Sequence, residues 1–207
     1  MLTRRTFAAM TVALALPLAG LSLPAFAQSA DTAAAEPLPD VVLGDPNAPV
    51  TIVEYASMTC PHCANFHKTT FQELKKEYID TGKVKFVLRE FPFDPLAAAV
   101  FMIARCSDDK YYDVVDLFFE TQGEWAVREG ALAKIRGLAR QTGMTDSAFE
   151  ACLTDQKLLD GINAVKDRGY SEFNVTGTPT ILIDGEKLEG ARTMNAFREI
   201  IDPKLDT

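Results

Sequence analysis

The sequence predicts an α/β protein in which a parallel strand–helix–strand unit, a long helical block and a closing hairpin share one sheet. Three observations carry this. Residues 50–55 are rich in β-branched side chains, and with a second strand-like run at 83–89 they bracket a stretch of helical periodicity. Between 95 and 172 the apolar residues recur at helical spacing. After Gly177 the strand pattern returns, with Asp184-Gly185 between two short apolar runs as a hairpin signal.

Taken in order, Val41-Val42-Leu43 reads as a short edge strand and Val50-Thr51-Ile52-Val53-Glu54-Tyr55 as a central one. From Pro61 to Tyr78 the positions Cys63, Phe66, Thr70, Leu74 and Tyr78 fall on one helical face, predicting a single helix. The segment 83–89 is a second strand, and a β-α-β unit of this kind needs a parallel pair. Residues 95–106 are apolar nearly all round, as a buried helix is. One-sided stripes predict further helices over 111–120, 129–141, 147–154 and 158–172, separated by breaks such as Gln122-Gly123 and Thr142-Gly143. Strands at 180–183 and 187–189 follow, and a last helix runs from Thr193 as N-cap to Ile201.

The N-terminus reads as an address label. Arg4-Arg5 precedes an Ala- and Leu-rich run from Phe7 to Leu23, and Ala25-Phe26-Ala27 is a cleavage site of small-x-small type. The run is short and interrupted by Pro17 and Gly20, which argues against a membrane span, although an uncleaved anchor is the alternative. Thr3-Arg4-Arg5-Thr6-Phe7 also fits a twin-arginine signal; the general secretory route is the other possibility. The expectation is a signal over 1–27 and a flexible tail over 28–40. Of 21 basic and 29 acidic residues the signal holds two arginines and no acid, so its removal takes the net charge from −8 to −10. That balance argues against nucleic acid and anionic membranes as partners.

All four cysteines lie beyond the signal, and an even count in an exported chain favours disulfides. Cys60 and Cys63 form a C-x-x-C at a strand-to-helix junction. There the free N–H groups and dipole of the helix stabilise a thiolate at the first cysteine. Pro61 suits the first turn because its missing N–H has no partner to lose, and a charged or donating His62 would lower the pKa of Cys60 further. Stabilising the reduced thiolate makes the disulfide a stronger oxidant: each pKa unit is worth about 1.4 kcal/mol, or about 30 mV on a two-electron couple. A static disulfide is the bland alternative. A zinc site would want a second close pair, which the sequence lacks. His67, one helical turn after Cys63, allows a soft-metal chaperone built from Cys60, Cys63 and His67. The ordinary reading of His67 is a solvated or capping side chain whose substitution is nearly silent. Trp125 is read as packing only.

Gly44-Asp45-Pro46-Asn47-Ala48-Pro49 and the strand after it, followed by Cys60-Pro61-His62-Cys63 and then by Val175-Thr176-Gly177-Thr178-Pro179-Thr180, resemble the DsbA-like branch of the thioredoxin superfamily. The resemblance covers nearly all of the chain after the signal. It implies a thioredoxin-like fold over 41–93 and 174–207, with an inserted helical domain over 94–173. It further implies a cis peptide at Pro179 facing the C-x-x-C, and a Thr178 backbone that receives an extended substrate segment. At Glu54 it implies a buried carboxylate that relays a proton for Cys63; read from residues alone, Glu54 could equally lie on the solvent side of its strand. The best-known enteric oxidases have Val where this chain has Thr178. Thr is common in reductases and isomerases of the superfamily, so a reductase or isomerase remains the alternative to an oxidase.

Cys106 and Cys152 fall on predicted helices of the insertion. Related enzymes in some bacteria carry a second, non-catalytic disulfide in this domain, and a bridge is the expectation here; two buried free thiols are the alternative. The functional expectation is then a periplasmic, monomeric thiol:disulfide oxidoreductase that donates disulfides to unfolded exported proteins. It would need no cofactor beyond its own redox-active disulfide. Reoxidation would fall to a DsbB-type, quinone-linked membrane partner, which the resemblance implies.

Overall fold

In the computed structural model the described residues are 35–206, so the expected signal over 1–27 lies outside them. A five-stranded mixed sheet is built from β1 (Val42–Leu43), β2 (Val50–Ala56), β3 (Val84–Glu90), β4 (Thr180–Ile183) and β5 (Glu186–Lys187), in the order β1-β3-β2-β4-β5. β2 and β3 run parallel; β1 on β3, β4 on β2 and β5 on β4 are antiparallel. β2 is therefore central, with Glu54 opposite Leu88 on one side and Ile181 on the other.

Both faces of β2 are covered. Val50, Ile52 and Ala56 join the main core, while Val53 and Tyr55 face a smaller cluster with Val87, Phe91, Val175 and Leu182. Strand alternation puts Glu54 on the main-core side. A central strand in an α/β sheet has no solvent face, and this removes the solvent-side reading of Glu54.

The helix expected from Pro61 to Tyr78 is not continuous. α1 (Pro61–Lys68) stops at Thr69 (φ −119°, ψ −88°), α2 (Thr70–Leu74) follows, and Lys75–Ile79 forms a π-helical turn. Thr69 donates its hydroxyl to the Asn65 carbonyl at 2.8 Å, a local bond that competes with the helical ladder beside a second β-branched residue, Thr70.

The helical block contains α3 (Pro95–Arg105), α4 (Tyr111–Glu120), α5 (Gln122–Trp125), α6 (Ala131–Gln141), α7 (Asp146–Leu153) and α8 (Gln156–Phe173). Asp94 caps α3 by accepting from the Ala97 N–H at 2.9 Å, and Pro95 takes the first turn. α5 replaces the break expected at Gln122-Gly123. Trp125 on it is fully buried and donates its indole N–H to the Phe118 carbonyl at 2.8 Å. α8 crosses β2 so closely that a Cβ added at Gly169 would meet the Tyr55 ring at 2.6 Å. α9 (Met194–Leu205) starts at Thr193 and continues past the expected end at Ile201, carrying Pro203 inside its last turn.

Residues 38–40, the end of the expected tail, are tied down. Asp40 accepts two hydrogen bonds from Arg89, Arg105 donates to the Pro39 carbonyl, and Leu38 packs against Gly161. Cys106 on the end of α3 and Cys152 on α7 are joined in a disulfide, with a sequence separation of 46.

Candidate active site

β2 runs through Ser57 into a tight turn, in which the Cys60 N–H donates to the Ser57 carbonyl at 3.0 Å. Cys60 is the extended N-cap residue of α1 and no side chain caps that end. The unpaired amides of the first turn are therefore free to serve a charge on Cys60. Across the sheet, the loop before β4 brings Thr178 and Pro179 to the same place, and the Thr178–Pro179 peptide bond is cis. The Cys60 Sγ lies 3.4 Å from the Thr178 carbonyl oxygen. Two segments 118 residues apart in sequence thus form the walls of one cleft. Its rim includes His62, Asn65, Phe66, Thr178, Pro179 and Arg192.

The two sulfurs are unbridged and chemically unequal. A hydrogen bond from the Cys63 thiol is the largest influence lowering the pKa of Cys60. Burial opposes it, and Thr178 with the backbone amides of Cys63 and His62 adds to the lowering, to about 5. Cys63 is fully buried; burial first, then the Cys60 sulfur and the Glu54 charge, push its thiol far above the usual range. One site therefore holds a stable thiolate beside a thiol that keeps its proton.

His62 contributes differently from the expectation. Its side chain is exposed, and its influence on Cys60 runs through its backbone N–H. His67 departs further. It is 2% exposed rather than solvated, its Nε2 lies 2.8 Å from Glu54 Oε2, and its Nδ1 faces Asp116 Oδ1 at 3.6 Å. Helix α1 buries its Cys63, Phe66 and His67 against the sheet and the helical block, which explains the reversal. With both ring nitrogens turned to carboxylates, His67 is not offered to Cys60 and Cys63 as a third metal ligand. Among the described residues no group of three or more His, Cys, Asp or Glu is arranged to hold a metal ion.

Three residues that the sequence does not single out support the motif. Gln122 on α5 is buried and donates through Nε2 to the carbonyls of Met58 at 2.7 Å and Cys60 at 3.0 Å. Thr59 donates to Asp94 at 2.5 Å, which ties the turn before Cys60 to the cap of α3. Asp116 lies on the side of α4 that faces His67. The sole sequence hint for Gln122 is a polar residue beside Gly123 in a break between helices, and such breaks are common.

A family model described as Thioredoxin matches residues 37–203. The crystal structure of Wolbachia pipientis alpha-DsbA1 superposes with a TM-score of 0.77 at 30% identity, over 83% of this chain and 94% of that one. The chain is a DsbA-like member of the thioredoxin family. The DsbA-like chain also resembles the crystal structure of a Novosphingobium aromaticivorans protein named protein-disulfide isomerase, with a TM-score of 0.69 and 27% identity over 84% of this chain and 100% of that one. A Rickettsia bellii protein named for protein-disulfide oxidoreductase activity is 31% identical over 169 residues, 81% of this chain. The DsbA-like chain spans 65% of that relative's length.

Proposed function

We propose that this chain is a periplasmic thiol:disulfide oxidoreductase that introduces disulfides into exported proteins through Cys60 and Cys63. The observation that carries the reading is the inequality of the two sulfurs beside the Thr178 backbone: a thiolate held near pKa 5 at the cleft, and a buried thiol behind it. In the oxidised form, a substrate thiolate attacks Cys60 Sγ and expels Cys63. Cys63 gains a proton, a second substrate thiolate attacks the substrate sulfur of the mixed disulfide, and Cys60 leaves as a thiolate. The substrate loses two electrons and the Cys60–Cys63 pair gains them. Glu54, buried and close enough for its charge to act on Cys63, is the group we assign to hand over the proton. The Thr178 backbone beside Cys60 receives the extended substrate chain. The name of the Rickettsia relative supports thiol–disulfide chemistry. The low pKa favours oxidation over reduction, because a stabilised reduced form raises the potential.

The deciding experiment equilibrates the Cys60–Cys63 couple against glutathione. A potential well above that of glutathione is the expected result for a disulfide donor that a quinone-linked membrane oxidase of the DsbB type reoxidises. A potential well below it would make the protein a reductase or isomerase, the reading favoured by Thr178 and by the isomerase name of the Novosphingobium protein. Cys63→Ser should trap a mixed disulfide on Cys60.

A further inference from the structure

Every reduction of the Cys60–Cys63 disulfide leaves one proton on a fully buried sulfur, Cys63. Glu54, the group assigned to deliver it, is itself completely buried and has no contact with solvent. A carboxylate so placed needs its own supply.

The surroundings of Glu54 provide one. Its Oε2 is 2.8 Å from His67 Nε2, while Oε1 is buried without a hydrogen-bond partner among the described residues. The imidazole is held between rings: it stacks on Phe119 (centroids 4.3 Å apart, planes 30°), lies 4.5 Å from Phe71, and meets Phe66 and Phe86 edge-on. Clamped in this way, the ring has one orientation, with a nitrogen toward each carboxylate. The inner contact is tight and the outer one, Nδ1 to Asp116 Oδ1, is loose at 3.6 Å. Asp116 is 32% exposed and so reaches solvent. From the interior outward the order is Cys63, Glu54, His67, Asp116, water.

Building on the thiol–disulfide exchange proposed above, we propose that His67 and Asp116 are positioning residues that reload Glu54 with the proton it gives to Cys63. The imidazolium Nε2–H passes its proton to Glu54, which hands it on to the expelled Cys63 thiolate. The ring keeps its Nδ1 proton and stays oriented by Asp116 while its Nε2 is left bare. In reoxidation the Cys63 proton returns by the same atoms before Cys63 attacks. The path carries protons only; both electrons stay with the sulfurs.

The charged ring is available at neutral pH. Burial opposes its charge, but Glu54 and then Asp116 outweigh that and hold its pKa up at about 9. The groups facing it are Glu54 from β2 and Asp116 from α4, with aromatic rings from α2, β3 and α4 elsewhere. Tyr112, which lies near enough to feel the Glu54 charge, keeps its hydroxyl engaged with Val41 and Leu88.

The test measures how fast the oxidised protein is reduced by dithiothreitol, with acid quenching and alkylation of freed thiols, and with rates expressed per reductant thiolate. Between pH 6 and 8, His67→Gln should be slower by at least about tenfold, in line with general acid catalysis. The parent should show a solvent deuterium isotope effect that His67→Gln loses. His67→Lys, which restores a buried cation with a transferable proton, should regain most of the rate. The parent's advantage should fade above pH 9 as the ring loses its charge. Equal rates and isotope effects in parent and His67→Gln would overturn the proposal. So would a slowing that is the same at pH 6 and pH 10, which a merely structural His67 predicts. Should His67→Gln fail to fold, Asp116→Asn carries the test, with a smaller slowing of the same pH shape expected and an unchanged profile refuting it. A parent protein that exchanges no faster than an unstructured disulfide would instead sink the exchange function itself.

Discussion

The pKa of Cys60 is a direct probe of how the two sulfurs are coupled. Its largest favourable influence is the hydrogen bond donated by Cys63, ahead of Thr178 and the backbone amides of the first helical turn. Replacing Cys63 by Ala removes that donor and leaves the turn, the helix and the Thr178 loop in place. A hydrogen bond to a charged group contributes about 1.5–3 kcal/mol, which at about 1.4 kcal/mol per unit is roughly one to two pH units. The Cys60 titration should therefore move from about 5 in the parent to roughly 6–7 in Cys63→Ala. Thiolate absorbance near 240 nm, followed against pH in the reduced parent and the variant, reads this directly. A titration that stays within about 0.3 units of the parent would refute the reasoning. It would mean that the helix amides alone set the thiolate, and that the close spacing of Cys63 serves only the disulfide.

The same shift predicts a pH signature in stability. Cys60 has a lower pKa folded than unfolded, so its contribution to the reduced protein is absent below pH 5, grows as pH rises toward 9, and is complete above that. Thermal midpoints of reduced and oxidised protein, compared across this window, should shift progressively in favour of the reduced form; parallel curves would contradict it. Replacing both Cys106 and Cys152 by Ala releases a loop spanning a separation of 46 and should cost about 4 kcal/mol in the chain-entropy account, measured by urea unfolding. A loss under about 1 kcal/mol would show that the reduced helical region is already constrained. Gly169→Ala should destabilise by roughly 1–3 kcal/mol, because the new methyl meets the fixed Tyr55 ring rather than a flexible side-chain end. A neutral result would require α8 to move away from β2.

Legibility in the sequence follows the reach of each signal. β4 is strongly β-branched and its expected limits coincide with the observed ones. Helices with a clear apolar stripe, such as α4, are equally plain. The break at Thr69 is not legible, because the apolar face of α1 continues in phase into α2 and only a hydroxyl-to-carbonyl bond marks the change. The C-x-x-C announces itself because both residues sit on one helical turn. Gln122 and Asp116 do not, since their meaning depends on helices that pack on α1 from more than 40 residues away in sequence. The solvated reading of His67 fails for a related reason: nothing in the sequence tells which side of a short helix meets a second layer.

The cleft has a consequence for the order in which a growing chain acquires its chemistry. Cys60 and Cys63 are made early, but Thr178 and its loop follow only after the whole helical block, 118 residues later. Gln122, which braces the Met58 and Cys60 carbonyls, also arrives late. A nascent chain that ends before β4 therefore carries its C-x-x-C without the opposing wall. Closing so long a loop costs entropy that only the finished sheet repays. The reactive pair thus meets its full surroundings only when the sheet and the helical block are both in place.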